Sequence, residues 1–402
     1  MTNLLPRPTD SAASGAVRLY YLDWLRVIAT LGVFLFHISN VFSGVKFEIT
    51  NPESSDTLML IASFFYPWGM PLFFLVAGAG SCFALRRRTL SQFTRERTLR
   101  LLVPFCTGTF FLGPIQIYFS WRHLSEFGLF DGSYLDFIRL ERLTRIGPKW
   151  FGVFGYHMWF LGFLFAFSLL ALPCFRWLKG GSGRRFVQRL ARFCARPGGT
   201  LIFILPVAVM RLGLHPFFPS LQDWADFFTY GMFFVLGFLL YSDQRFTEAI
   251  WRDRWILLGV GIASTVAATA IAMSLDSLDI ERSPASAREF IMWAFIAVAA
   301  WSWSAFTLYI GMRYLDHDSR MLRYGQETLL PFFVLHQPVI LAVAYFVVQW
   351  DAPLPLKLLS VTLSAFIVTI GLAEWVIKRV SFLRPLFGMK ESRRTSVRVA
   401  VG

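Results

Sequence analysis

The sequence predicts an all-α, polytopic membrane protein of about ten spans with both termini cytoplasmic, and three observations lead there. The 402-residue chain is 55% apolar and 17% aromatic, only 16% charged, with a mean hydropathy of +0.53; a soluble domain carries far more charge. Its apolar residues gather into ten runs, 20–43, 58–85, 101–119, 157–178, 200–215, 226–241, 254–275, 289–311, 328–349 and 353–377. About twenty such residues cross a hydrocarbon core as a helix, the fold that satisfies the backbone there. The basic residues alternate with these runs: with Arg176, Arg254 and Lys357 near run ends counted in the adjoining loops, 28 Lys and Arg fall on the side of the N-terminus and 9 on the other, and Arg26 and Arg211 lie inside spans. That asymmetry orients the chain, and it turns the net charge of +14 away from nucleic acid and towards topology.

The elements follow in order. Residues 1–19 are polar, with no short apolar core and cleavage site, so no cleavable signal peptide is expected. Residues 20–378 form the membrane domain and 379–402 a basic cytoplasmic tail. The first run contains Asp23, Arg26 and His37. Ionisable groups at such depth are costly and mark interiors or sites. At about 100° per residue, Asp23, Arg26, Thr30 and His37 fall within one narrow strip. It climbs about 16 Å from Arg26, in the cytoplasmic half, to His37 towards the other side. An ion pair at the water-side end plus a hydrogen-bonded histidine is the plainer reading of the same residues.

The second run holds Pro67 and Pro71 and the small-residue patch Ala77-Gly78-Ala79-Gly80-Ser81, a composition suited to a kinked helix with close neighbours. Between the second and third runs, RRRTLSQFTRERTLR places Arg97 and Arg100 three residues apart. On a helix they share one face, where two guanidiniums can clamp phosphates. The longest outside segment, Ser120 to Tyr156, mixes Arg139, Glu141, Arg142, Arg145 and Lys149 with aromatics and leads into His157 and Trp159. The glycine- and arginine-rich stretch around residues 179–199 lacks the Gly-Lys-Ser/Thr ending of a phosphate loop and reads as a cytoplasmic connector. The fifth and sixth runs are short; Arg211 and His215 lie near the outer end of the fifth. His336 sits mid-span beside Pro338, and Glu374 lies one turn from Lys378, a partner for it unless a site arginine takes that place. Cys82, Cys106, Cys174 and Cys194 lack metal-ligand spacing and read as buried or reduced thiols; no metal is expected.

Leu22-Asp23-Trp24-Leu25-Arg26, ten residues, then His37 resembles the first-span motif of the membrane-bound acyltransferase-3 family. Arg97-Thr98-Leu99-Arg100 before an apolar run with Pro104 resembles a second motif of that family, and FFLVAGAGS a third, with Ala77 where serine is usual. His157-Met158-Trp159-Phe160-Leu161 is similar to the branch that acylates periplasmic glucans. The resemblance implies transfer of an acyl group from acyl-coenzyme A, acetyl or succinyl, to a glycan hydroxyl, at a cell inner membrane. It implies Arg97 and Arg100 on the donor phosphates, His157 and Trp159 at the acceptor, and His336 and Glu374 in support.

A hydroxyl needs a positioned base at neutral pH, and histidine's range suits that task. His37 is the candidate, with Asp23 and Arg26 ordering its strip; a covalent acyl-His37 is the variant mechanism. Expected partners are the bilayer, acyl-coenzyme A and an extracytoplasmic glycan, with homo-oligomerisation left open. A transporter of a small anionic or sugar-like solute would present the same buried strip, with His37 and Arg26 in its path. No internal repeat relates the halves, and coenzyme A release on adding acceptor belongs only to the enzyme.

Overall fold

The computed structural model describes residues 18–45, 47–124, 130–144, 156–274 and 286–389, with backbone alone over 140–144. The first seventeen residues, Arg145 and Lys149 of the long outside segment, and the tail from residue 390 lie outside the described residues. The described residues contain helices and turns and no strand.

We number the helices α1 Tyr20–Phe42, α2 Asp56–Arg87, α3 Leu90–His123, α4 Tyr134–Thr144, α5 Trp159–Leu170, α6 Leu172–Lys179, α7 Gly181–Cys194, α8 Gly199–Leu214, α9 Trp224–Leu240, α10 Gln244–Met273, α11 Ala287–Tyr314, α12 Arg320–Val347 and α13 Leu354–Ile377. All ten apolar runs become helix. Seven (α1, α2, α3, α10, α11, α12 and α13) are long and apolar enough to cross a membrane, and α5 with α6 makes an eighth if that bent pair is one span. The other two runs are α8 and α9; α9 has 17 residues, under the roughly twenty that an untilted span needs.

Local sequence explains the starts and breaks. Ser55, Thr89, Asp223, Asp243, Ser286 and Ser319 each cap a helix by accepting a hydrogen bond from a first-turn N–H, satisfying donors that have no helical partner. Thr89 forms a reciprocal capping box with Gln92. Two wide π turns interrupt α3, Thr98–Leu102 and Gly108–Leu112. Each directly precedes a short α segment with proline in its first turn, Pro104 and Pro114. Proline supplies no N–H and crowds the carbonyl four residues back; a widened turn absorbs both effects. Pro173 stands at the 45° bend between α5 and α6.

The basic stretch after α6, which connects it to α8, is helical. Gly183, Val187, Ala191 and Cys194 of α7 are buried at helical spacing, facing α6 and α10. Burial, and next the Asp253 carboxylate, pushes the Cys194 thiol up to about 11. All four cysteines are free.

The core joins α2 and α9 through reciprocal glycines. A Cβ on Gly78 would collide with the Phe234 carbonyl, and one on Gly237 with the Leu75 carbonyl. Small residues let helix backbones touch. Around this crossing pack α1, α5, α11 and α12. One edge of the bundle is marked by polar ties between helix ends. Arg86 donates to Tyr241 O at 2.7 Å, the Tyr21 and Tyr241 hydroxyls lie 2.7 Å apart, and Lys179 donates to Leu85 O at 3.0 Å. The start of α1 and the ends of α2, α6 and α9 therefore share one level.

Candidate active site

Two clusters lie at different depths along α1. The first is at the tied edge. Asp23 accepts from Arg18 at 3.0 Å and pairs with Arg26 at 3.5 Å. Arg18 also donates to Gln326 Oε1 of α12 at 2.6 Å. Arg26 reaches across to α2, its Nη2 3.4 Å from Val76 O, over Gly80, where a Cβ would strike the guanidinium. The small-residue patch thus makes room for a charge as well as for a helix.

Arg97 enters the same space from α3 and donates to Ser81 Oγ at 3.1 Å; Ser81 in turn donates to Ala77 O at 3.0 Å. The π turn Thr98–Leu102 separates the two arginines that a regular helix would have placed on one face. Arg97 turns inward, with Arg26, Glu96, Arg100 and Arg88 as its charged neighbours. Arg100 stays 48% exposed, 3.7 Å from Glu96, which also holds Arg88 at 2.7 Å. Five guanidiniums, of Arg18, Arg26, Arg88, Arg97 and Arg100, thus stand against two carboxylates, Asp23 and Glu96. The surplus of positive charge suits a multiply charged anion.

The second cluster gathers three histidines from distant parts of the chain. His37 of α1 and His336 of α12 have ring centroids 5.4 Å apart, and His336 and His157 are 5.2 Å apart, edge to face. His336 donates from Nδ1 to Phe333 O at 2.6 Å. In the neutral ring its Nε2 therefore carries the lone pair, and that atom is buried with no hydrogen-bond partner among the described residues; His37 Nδ1 is likewise buried and without a partner among them. His157 differs. Its Nε2 donates to Val334 O at 3.2 Å, and the Gln116 side-chain amide lies 3.1 Å from its Nδ1. Gln116 Nε2 has no other partner, so turning that amide to donate to Nδ1 satisfies both groups. Two nitrogens are thus free for chemistry, and His157 is fully engaged in fixing its neighbours. Phe36 and Phe47 wall the His37 ring, with Phe332 and Phe333 against His336.

The remaining sequence-predicted residues lie apart from these clusters. Trp159 turns away from His157 and packs on Tyr230, Phe163 and Phe74. Glu374 pairs with Lys378 at 2.6 Å and not with an arginine of the first cluster. Arg211 forms a buried ion pair with Asp226 at 2.7 Å, and His215 packs against Trp293 with the ring planes tilted by 40°. No group of His, Cys, Asp and Glu among the described residues is arranged to hold a metal. Sequence reasoning missed Ser81 and Gln116. Ser81 was detectable, because it lies one turn beyond Ala77 and so on the same face. Gln116 carried no signal, since its role depends on a contact with a residue 41 positions away.

A family profile described as an acyltransferase domain matches residues 19–374. No curated protein matches the chain and no solved structure does.

Proposed function

The chain belongs to the acyltransferase-3 family and is a multi-pass membrane acyltransferase, and on that premise we propose that it moves an acyl group from acyl-coenzyme A to a glycan hydroxyl, with His37 as general base. The observation that carries this reading is the approach of two imidazoles with unpartnered, buried nitrogens, His37 Nδ1 and His336 Nε2, with His37 on the helix that also bears Arg26 of the guanidinium cluster. The eleven-residue step from Arg26 to His37 rises about 16 Å, a length for an extended pantetheine arm to cover while Arg26, Arg97 and Arg100 hold its phosphates.

In this mechanism the acceptor hydroxyl gives its proton to His37 Nδ1 as its oxygen attacks the thioester carbonyl. The tetrahedral centre collapses with loss of the coenzyme A thiolate, which then takes up a proton. Nucleophile activation of this kind contributes about 10²–10⁴-fold. His336, oriented through Phe333 O, is the neighbour through which that proton leaves. His157 is a positioning residue, and Asp23 orients Arg26. Succinyl transfer to a periplasmic glucan is the finer reading, and it rests on the stretch His157 to Leu161 alone; O-acetylation of a surface polysaccharide is the next.

The test is acceptor-dependent coenzyme A release by the purified protein in detergent or nanodiscs, supplied with acetyl- or succinyl-coenzyme A. Mass spectrometry of envelope glycans from cells with and without the protein identifies the acceptor. Release unaffected by any glycan acceptor rejects the proposal. The orientation is part of the reading. Reporter fusions after Arg100 and Arg196 are expected in the cytoplasm and one at Gly132 outside; a cytoplasmic signal at Gly132 would put His37 on the wrong side for an external acceptor.

A further inference from the structure

Helix α7 has three faces. At about 100° per residue, buried Gly183, Val187, Ala191 and Cys194 fall on one. Phe186, Leu190 and Phe193 occupy one flank, and Arg185, Arg189 and Arg192 lie within about 60° of one another on the far side. Phe186 and Phe193 are 45% and 42% exposed, and the Phe186 ring lies 5.5 Å from that of Trp177, itself 49% exposed. The arginines are exposed. Arg185 makes one contact, donating to Ser182 Oγ at 3.3 Å, and Arg189 and Arg192 have no partner among the described residues. Lys179, two residues before the helix starts, donates to Leu85 O. So α7 leaves the bundle at the tied edge, beside the arginine-rich turn that follows α2.

A basic stretch that only set topology would need neither a buried face nor a flank of exposed aromatics. An aromatic flank below and a guanidinium row beside it is the layout of a helix lying in a membrane interface. We propose that α7 binds anionic phospholipid, with Trp177, Phe186 and Phe193 seated in the acyl–headgroup boundary and Arg185, Arg189 and Arg192 on lipid phosphates. The occupant follows from charge complementarity and from the helix's continuity with spans on both sides. Guanidiniums fork onto phosphate oxygens, and a zwitterionic headgroup cancels the attraction that an anionic one keeps.

The experiment uses the full chain in phosphatidylcholine nanodiscs with graded phosphatidylglycerol, released for native mass spectrometry to count retained anionic lipid. The parent is expected to retain phosphatidylglycerol selectively. The triple variant Arg185→Gln/Arg189→Gln/Arg192→Gln should lose that preference by tenfold or more, given roughly fivefold per basic residue. Arg185→Lys/Arg189→Lys/Arg192→Lys should keep most of it and shows that the triple substitution is tolerated by the fold. Selectivity unchanged in the glutamine variant overturns the proposal. So does unchanged lipid retention with weakened coenzyme A binding, which would move these arginines to the donor.

Discussion

At one end of α1 five guanidiniums share two carboxylates; deeper along the same helix three imidazoles lie among phenylalanines with no ion pair among the described residues. The charged end is half open: Arg18 is 52% exposed, Arg100 48% and Arg26 35%. Water screens part of the surplus charge there, and in the proposed reading the donor's phosphates complete the balance. At the histidine end His157 and His336 are buried and His37 partly so, and each unmet ring nitrogen, itself buried, carries the desolvation cost of an unsatisfied polar group. In the proposed reading one end holds the donor and the other carries the reaction.

The comparison breaks first at His37. His37→Gln keeps a hydrogen-bonding side chain but accepts no proton, so turnover should fall about 10²–10⁴-fold with coenzyme A affinity close to the parent's. If the purified variant transfers acyl groups within a fewfold of the parent rate, the base is His336, whose Nε2 is the other free nitrogen. The charged end should respond in the opposite quantity. Charge-assisted contacts are worth about 1.5–3 kcal/mol, so Arg100→Ala should weaken donor binding roughly ten- to hundredfold, measured by calorimetry with coenzyme A. Arg100→Lys should recover part of it, since a point charge replaces a fork. Unchanged affinity in Arg97→Ala/Arg100→Ala would leave the cluster to topology alone. The smallest effect is expected at Ser81. Its hydroxyl orients Arg97, and a net contribution of about 0.5–1.5 kcal/mol predicts a loss of donor affinity of a few-fold in Ser81→Ala with kcat unchanged. A fall in kcat instead would tie Arg97 to the chemical step.

Most of the charged end was legible in the sequence. Asp23 and Arg26 lie one turn apart on one helix, Arg97 and Arg100 flank the next basic turn, and the small patch Ala77 to Ser81 announced a close approach. The π turn was not read, although Pro104, four residues after Arg100, is its cause; the expectation of one shared face assumed a regular helix. At the histidine end each residue was visible singly, and their meeting was not. His37, His157 and His336 are separated by 120 and 179 positions, and no period within a helix reports which faces of α1, α5 and α12 are turned together. The basic stretch at α7 reads from sequence as a connector, and its helix is the part that the bounding glycines hide. The spacing of Gly183, Val187, Ala191 and Cys194 carried the helix, with only small or short side chains to signal it.

The crossing of α2 and α9 has a mechanical consequence. Gly78 and Gly237 mesh backbone to backbone like two teeth, each seated against a carbonyl of the other helix. Sliding by even one residue would drive a Cβ into that carbonyl, so the pair cannot shear. Val76, Gly80 and Ser81, which receive Arg26 and Arg97, ride on the locked member. The floor beneath the guanidinium cluster is therefore an anvil, and if the cluster holds the proposed donor, any give that admits it must come from the walls opposite, α1 and α12.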